Sequence, residues 1–111
     1  MPYDQTLAER IRHLLRRRRR VEERRMFGGV AFLVNGHMSV GVVGDNLVLR
    51  LGNERTAEAL QKRHTLPMDF TGKPLRSLIY VEPAGYRKDG DLADWVGQAI
   101  AYAKSQPPKS R

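Results

Sequence analysis

A chain of 111 residues, 41% hydrophobic and 29% charged, is long enough to bury one core and too short for two. It contains no cysteine, which excludes disulfides, thiolate nucleophiles and cysteine-ligated metal or iron–sulfur sites. The formal net charge of +8 is unevenly spread, because residues 1–27 hold nine arginines against four acids, and that excess favours polyanionic partners.

The first helix begins at Asp4 or Thr6: Thr6 with Glu9 is a capping-box pattern, and Asp4 is an equally good cap. Leu7, Ile11, Leu14 and Leu15 form one apolar stripe, and Arg18 would fall in its middle. The helix therefore ends near Arg17 or carries the Arg18 head out to water. If it continued, Arg12, Arg16, Arg19 and Arg20 would share the opposite, basic face.

Residues 21–27 (VEERRMF) and 29–34 (GVAFLV) read as two strands, and Asn35-Gly36 is a strong signal for a type I′ hairpin turn. Residues 37–43 make a third strand, Gly44-Asp45-Asn46 a turn, and 47–51 a fourth strand with Leu47, Leu49 and Leu51 alternating inward. Asn53 caps a short helix over 54–63, with Ala57 and Leu60 as its contacts. Residues 66–74 are extended and turn-rich, with a short strand at 68–70. A further strand follows at 77–82, stopped by Pro83. A last helix from Asp91 to Lys104 sets Leu92, Trp95, Val96, Ala99, Ile100 and Ala103 on one stripe. The longest apolar run, Val30 to Val34, is far below the roughly 20 residues that span a bilayer. With no apolar signal core at the start, a cytoplasmic protein without membrane association is expected.

Two stretches invite a chemical reading. Gly28-Gly29 invites comparison with a phosphate-cradling loop, but Val-Ala-Phe and a strand follow it instead of a Lys-Ser/Thr pair or a helix start, so a bulge or tight turn is expected. Gly41 to Gly44 fails in the same way. The arginines are the stronger case. Arg12, Arg16, Arg17, Arg19 and Arg20, with Arg24 and Arg25 on the adjoining strand, suffice to contact about 4 to 6 phosphates without sequence specificity. His13, His37 and His64 lack ligand spacing and belong on the surface or rim, and Asp69 before a turn glycine reads as an Asx-turn residue. No serine has a base beside it, so no catalytic residue, metal or cofactor is expected. Met26, Val30, Phe32 and Val34 share one parity and Phe27, Ala31 and Leu33 the other, which makes the second set a candidate partner surface or homodimer contact.

The segments YDQTLAERIR (3–12), MFGGVAFLVNGHM (26–38), GVVGDNLVLRLG (41–52), PMDFTGKP (67–74), IYVEPAG (79–85) and the Trp95 helix occur in an order that resembles the TfoX N-terminal domain family. MFGG and MDFTG are its most specific parts. Where relatives often carry cysteines after the hairpin Met, this chain has Ser39 and Val40. The resemblance implies an α+β, two-layer fold: an antiparallel sheet of four to six strands, in α-β-β-β-β-α-β-α order, with helices mainly on one face. One such domain is expected over residues 1–105; from the residues themselves, the QPPKSR tail at 106–111 reads as disordered and Gly28, Gly29, Asn35, Gly36, Asp69, Gly72 and Trp95 as structural. For function the resemblance implies a non-enzymatic regulatory or adaptor domain acting by protein contact in transcription regulation. The namesake proteins regulate natural competence with the cyclic-AMP receptor protein, which makes that protein or other transcription machinery the expected partner. Direct DNA binding through the arginine cluster is the alternative.

Overall fold

A computed structural model describes residues 3–69 and 76–107. In chain order the elements are α1 (Gln5–Leu15), β1 (Val21–Met26), β2 (Gly29–Val34), β3 (His37–Val43) and β4 (Asn46–Arg50). They continue with α2 (Asn53–Ala59), β5 (Thr65–Pro67), β6 (Leu78–Val81), α3 (Pro83–Tyr86) and α4 (Asp89–Ser105). The six strands form one antiparallel sheet in the order β1-β2-β3-β4-β6-β5, so the expected α+β architecture is present with its full complement of strands.

Tight turns set the register of the first four strands. Phe27-Gly28 and Asn35-Gly36 each have positive φ at both positions (60° and 75°, 54° and 84°), the conformation of type I′ turns, whose twist matches that of the strands they join. Phe27 is thus a turn residue and not the end of β1. Met26 pairs with Gly29, so it lies on the face of Ala31 and Leu33 and does not share the parity of Val30. Cross-strand partners share a face, so Val21, Glu23 and Arg25 go with Val34, Phe32 and Val30, while Glu22 and Arg24 go with Leu33 and Ala31.

The first face carries the core. Val30, Phe32, Val40, Val42, Leu47, Leu49, Ile79 and Val81 pack in one cluster with Leu7, Ile11 and Leu15 of α1 and with Leu92, Trp95, Val96, Ala99 and Ile100 of α4. Asp4 caps α1, its Oδ1 accepting from the Leu7 N–H at 3.1 Å. The buried arc of that helix is Leu7, Ala8, Ile11 and Leu15, centred toward Ala8. Leu14 falls at the edge of that arc and is exposed, unlike its expected place in the stripe. The helix ends at Leu15, before Arg18 could enter the apolar side.

Three further departures concern the middle of the chain. α2 is shorter than expected, is preceded by Gly52 at φ 84° instead of being capped by Asn53, and buries Thr56 and Ala59 while Ala57 is exposed. It ends early because the Thr65 hydroxyl donates to the Ala59 and Lys62 carbonyls at 3.1 and 2.8 Å, satisfying groups that another helical turn would have used. The fifth strand is Thr65–Pro67 instead of 68–70, and Pro83 starts the short α3 that the sequence reading did not anticipate. The sheet's second face is also buried at its centre: Ala31, Leu33 and Val48 are at most 5% exposed, as is Met68, and none belongs to the main cluster.

Candidate functional site

The glycine pair divides into two structural duties. Gly28 sits at φ 75° with open space where a side chain would be, so its part is conformational. Gly29 closes the hairpin against β3: a Cβ there would lie 1.9 Å from the Val42 carbonyl oxygen, so its part is the absence of a side chain. No helix begins at the pair, because β2 follows directly. The second hairpin motif, Asn35-Gly36, is likewise a turn.

The nine N-terminal arginines separate by whether the fold engages them. Arg10 reaches 76 residues along the chain, its Nη2 donating to the Tyr86 and Arg87 carbonyls at 3.2 and 3.1 Å and to Asp89 at 3.0 Å. Arg12 is held by both oxygens of Glu23 (2.8 and 3.1 Å) and by Glu9 (2.9 Å). The hydrogen bond to Glu23, with smaller help from nearby acidic charge, raises the Arg12 pKa against the opposing effect of burial. Arg16 closes α1, donating from Nη1 to the His13 carbonyl at 2.6 Å. Arg24 is paired with Glu22 at 3.1 Å on the sheet's second face, away from the helices. Arg25 is exposed and points to the helix side of β1, with Val30. The continuous basic face expected of Arg12, Arg16, Arg19 and Arg20 therefore does not form, since the helix stops at Leu15 and two of its members are engaged locally.

Arg17, Arg18, Arg19 and Arg20 differ. All are exposed, and none makes a side-chain hydrogen bond or ion pair among the described residues. Their turn is nonetheless fixed at both ends: the Arg18 N–H bonds the Leu15 carbonyl at 3.0 Å and the Asn35 N–H bonds the Arg20 carbonyl at 3.1 Å. Arg20 is in the left-handed region, φ 62°. Arg17, Arg18 and Arg19 line a pocket of about 280 Å³ with Val34, Asn35 and Lys104 from the last turn of α4. Sequence reasoning missed Arg18 and Lys104. Arg18 would fall in the apolar stripe only if the helix continued past Arg17, so the sequence does not group it with the other arginines, and nothing local relates Lys104 to a turn more than eighty residues upstream.

The other expected residues are placed as follows. Ala31 and Leu33 are buried within the chain, so the apolar second face is not the open partner surface expected of it, and Phe27 beside them is half-buried in its turn. Trp95 is a core residue whose Nε1 donates to the Gly85 carbonyl at 3.2 Å. Asp69 is exposed, and Gly72 and residues 108–111 of the expected tail lie outside the described residues. His13 and His64 are exposed, but His37 is buried, its Nε2 lying 2.6 Å from the Pro107 carbonyl, because the chain after α4 passes over the start of β3. No helix among the described residues is long and apolar enough to cross a membrane. Tyr86, buried with its hydroxyl donating to the Asp45 carbonyl at 2.5 Å, has its pKa pushed up to about 12, by burial first and then by Asp4 and Asp45.

No curated protein and no solved structure matches this chain. A family model described as the TfoX N-terminal domain matches residues 13–103, a span that runs from the last turn of α1 through every strand to the last turn of α4. The MFGG hairpin and the Trp95 helix both fall inside it. The chain therefore belongs to the TfoX N-terminal domain family, a non-catalytic regulatory family.

Proposed function

We propose that this domain is a regulatory adaptor in transcription that works by protein contact and performs no chemistry of its own. The observation that carries this reading is the family match through all the sheet strands, combined with the structural use of the most conspicuous residues. The glycine pair shapes a turn, Arg10 and Arg12 hold elements together, and Tyr86 fixes α3 to the β3–β4 turn. Cyclic-AMP receptor protein and RNA polymerase are the partners to test first.

The test is capture of both purified proteins on the immobilised domain, with and without nuclease. Recovery of either one in the presence of nuclease is expected. Recovery that disappears with nuclease would contradict protein contact. Self-association, if present, would use an edge of the sheet such as β1, because the second face is buried at its centre. The charged run Glu22 to Arg25 on that edge opposes strand pairing, so a monomer at micromolar concentration in light scattering would remove the homodimer from this proposal.

A further inference from the structure

We infer that Arg17, Arg18, Arg19 and Lys104 form a clamp for the phosphate backbone of duplex DNA, binding without regard to base sequence. The inference does not depend on the protein-contact reading. It rests on where unpaired charge converges. Four cations from two ends of the chain line one pocket with Val34 and Asn35; among the described residues no acid lines it, and none of the four has an ionic partner. Two other pockets are different: one sets Lys62, Arg63, Arg87 and Lys88 against Asp91 and Asp94, and another sets Arg10 against Glu9 and Asp89.

Like charges lining one pocket repel one another, yet the turn is fixed to α1 and to the tip of the β2–β3 hairpin instead of splaying away. An anion between the four side chains would lessen that repulsion, and with the backbone pinned only the side chains remain to be ordered on binding. At about 280 Å³ the pocket admits phosphate groups. Among the described residues it has no aromatic lining on which a base could stack, so contact to the backbone is what it can make. A membrane surface fits less well, because the large apolar side chains exposed among the described residues, Leu14 and Leu66, do not line the pocket and could not anchor it. Duplex DNA presents one charge per roughly 1.7 Å of axis, a density that several guanidinium groups in one place can meet together.

The experiment measures binding of the full chain to two unrelated short DNA duplexes by fluorescence anisotropy across about 50 to 200 mM salt. Equal affinity for the two sequences is expected. A log–log salt slope of about −3.6 is expected for four phosphate contacts, a loss of roughly a hundredfold in affinity over that range. Lys104→Ala should make the slope about 0.9 shallower, and combining it with Arg17→Ala, Arg18→Ala and Arg19→Ala should abolish measurable binding while leaving the circular dichroism unchanged. Arg24→Ala, on the opposite face, should change nothing. The inference is overturned if the wild-type chain does not bind at the lowest salt or if the slope survives the fourfold variant. It is equally overturned if phosphatidylserine–phosphatidylcholine vesicles or poly-glutamate bind the same residues more tightly than DNA does.

Discussion

Two regions stand out in this sequence, the Gly28-Gly29 hairpin and the arginine turn at residues 16–20, and the fold treats them in opposite ways. In the hairpin each residue's chemical peculiarity is consumed by the backbone: Gly28 supplies a left-handed φ, Gly29 supplies the space needed by the Val42 carbonyl, and nothing is left over to hold a ligand. In the turn the backbone is fixed by main-chain hydrogen bonds, and the side chains of Arg17, Arg18 and Arg19 are left without partners among the described residues. A residue's conspicuousness in sequence is therefore a poor guide to function until its structural obligations are known. What the fold leaves unengaged is the better guide.

That contrast predicts a graded series of stability effects. The largest belongs to Gly29→Ala, where the new Cβ would meet backbone and not a movable side chain. A loss of at least about 3 kcal/mol by urea denaturation is expected, a large share of the few kcal/mol by which such domains are stable. Arg10→Ala comes next. It strips a charged donor from the Tyr86 and Arg87 carbonyls and should cost about 2 kcal/mol in the same assay.

Gly28→Ala should cost only about 1 kcal/mol, because the φ is unfavourable but the space is open; an effect as large as that of Gly29→Ala would break the division of duties between the two glycines. Tyr86→Phe should cost a similar amount through its lost hydrogen bond, and it carries a pH signature. The folded-state pKa lies above the ordinary value of 10, at about 12, so the phenol's contribution is complete below about pH 10 and is lost as pH rises through about 12. The urea midpoint of the wild-type chain should fall more steeply over that interval than that of Tyr86→Phe, and parallel curves would show that the phenol is not responsible. At the bottom of the series, alanine at Arg17, Arg18, Arg19 and Lys104 together should leave stability within about 0.5 kcal/mol. A substantial loss there would mean that the turn is structural after all.

How far the sequence could be read followed the range of the forces involved. The hairpins, the alternation along β4 and the stripe of α4 are set by residues a few positions apart, and they were legible. So was the choice of Asp4 as one of two caps, though only the observed bond to the Leu7 N–H decides it. The end of α2 depends on a Thr65 hydroxyl beyond the helix, and the exposure of Leu14 depends on how α1 rolls onto the sheet. Neither has a local signature. At the site, the arginine run was visible, but its sorting was not. Arg12 is removed from it by Glu23 across to β1, Arg24 by a two-residue turn that places it on the far face, and Lys104 is added by the docking of the last helix. His37 shows the same limit, since its burial depends on the chain near Pro107, seventy residues away.

The most direct measurement of the central claim, that the unengaged cations of the turn meet Lys104 in one phosphate site, is the difference in DNA salt slope between the wild-type chain and Lys104→Ala. A wild-type slope of about −3.6 and a variant slope close to −2.7 are expected, with unchanged thermal stability. Identical slopes would contradict it, because Lys104 would then contribute no contact at the place where the fold brings it to the arginines.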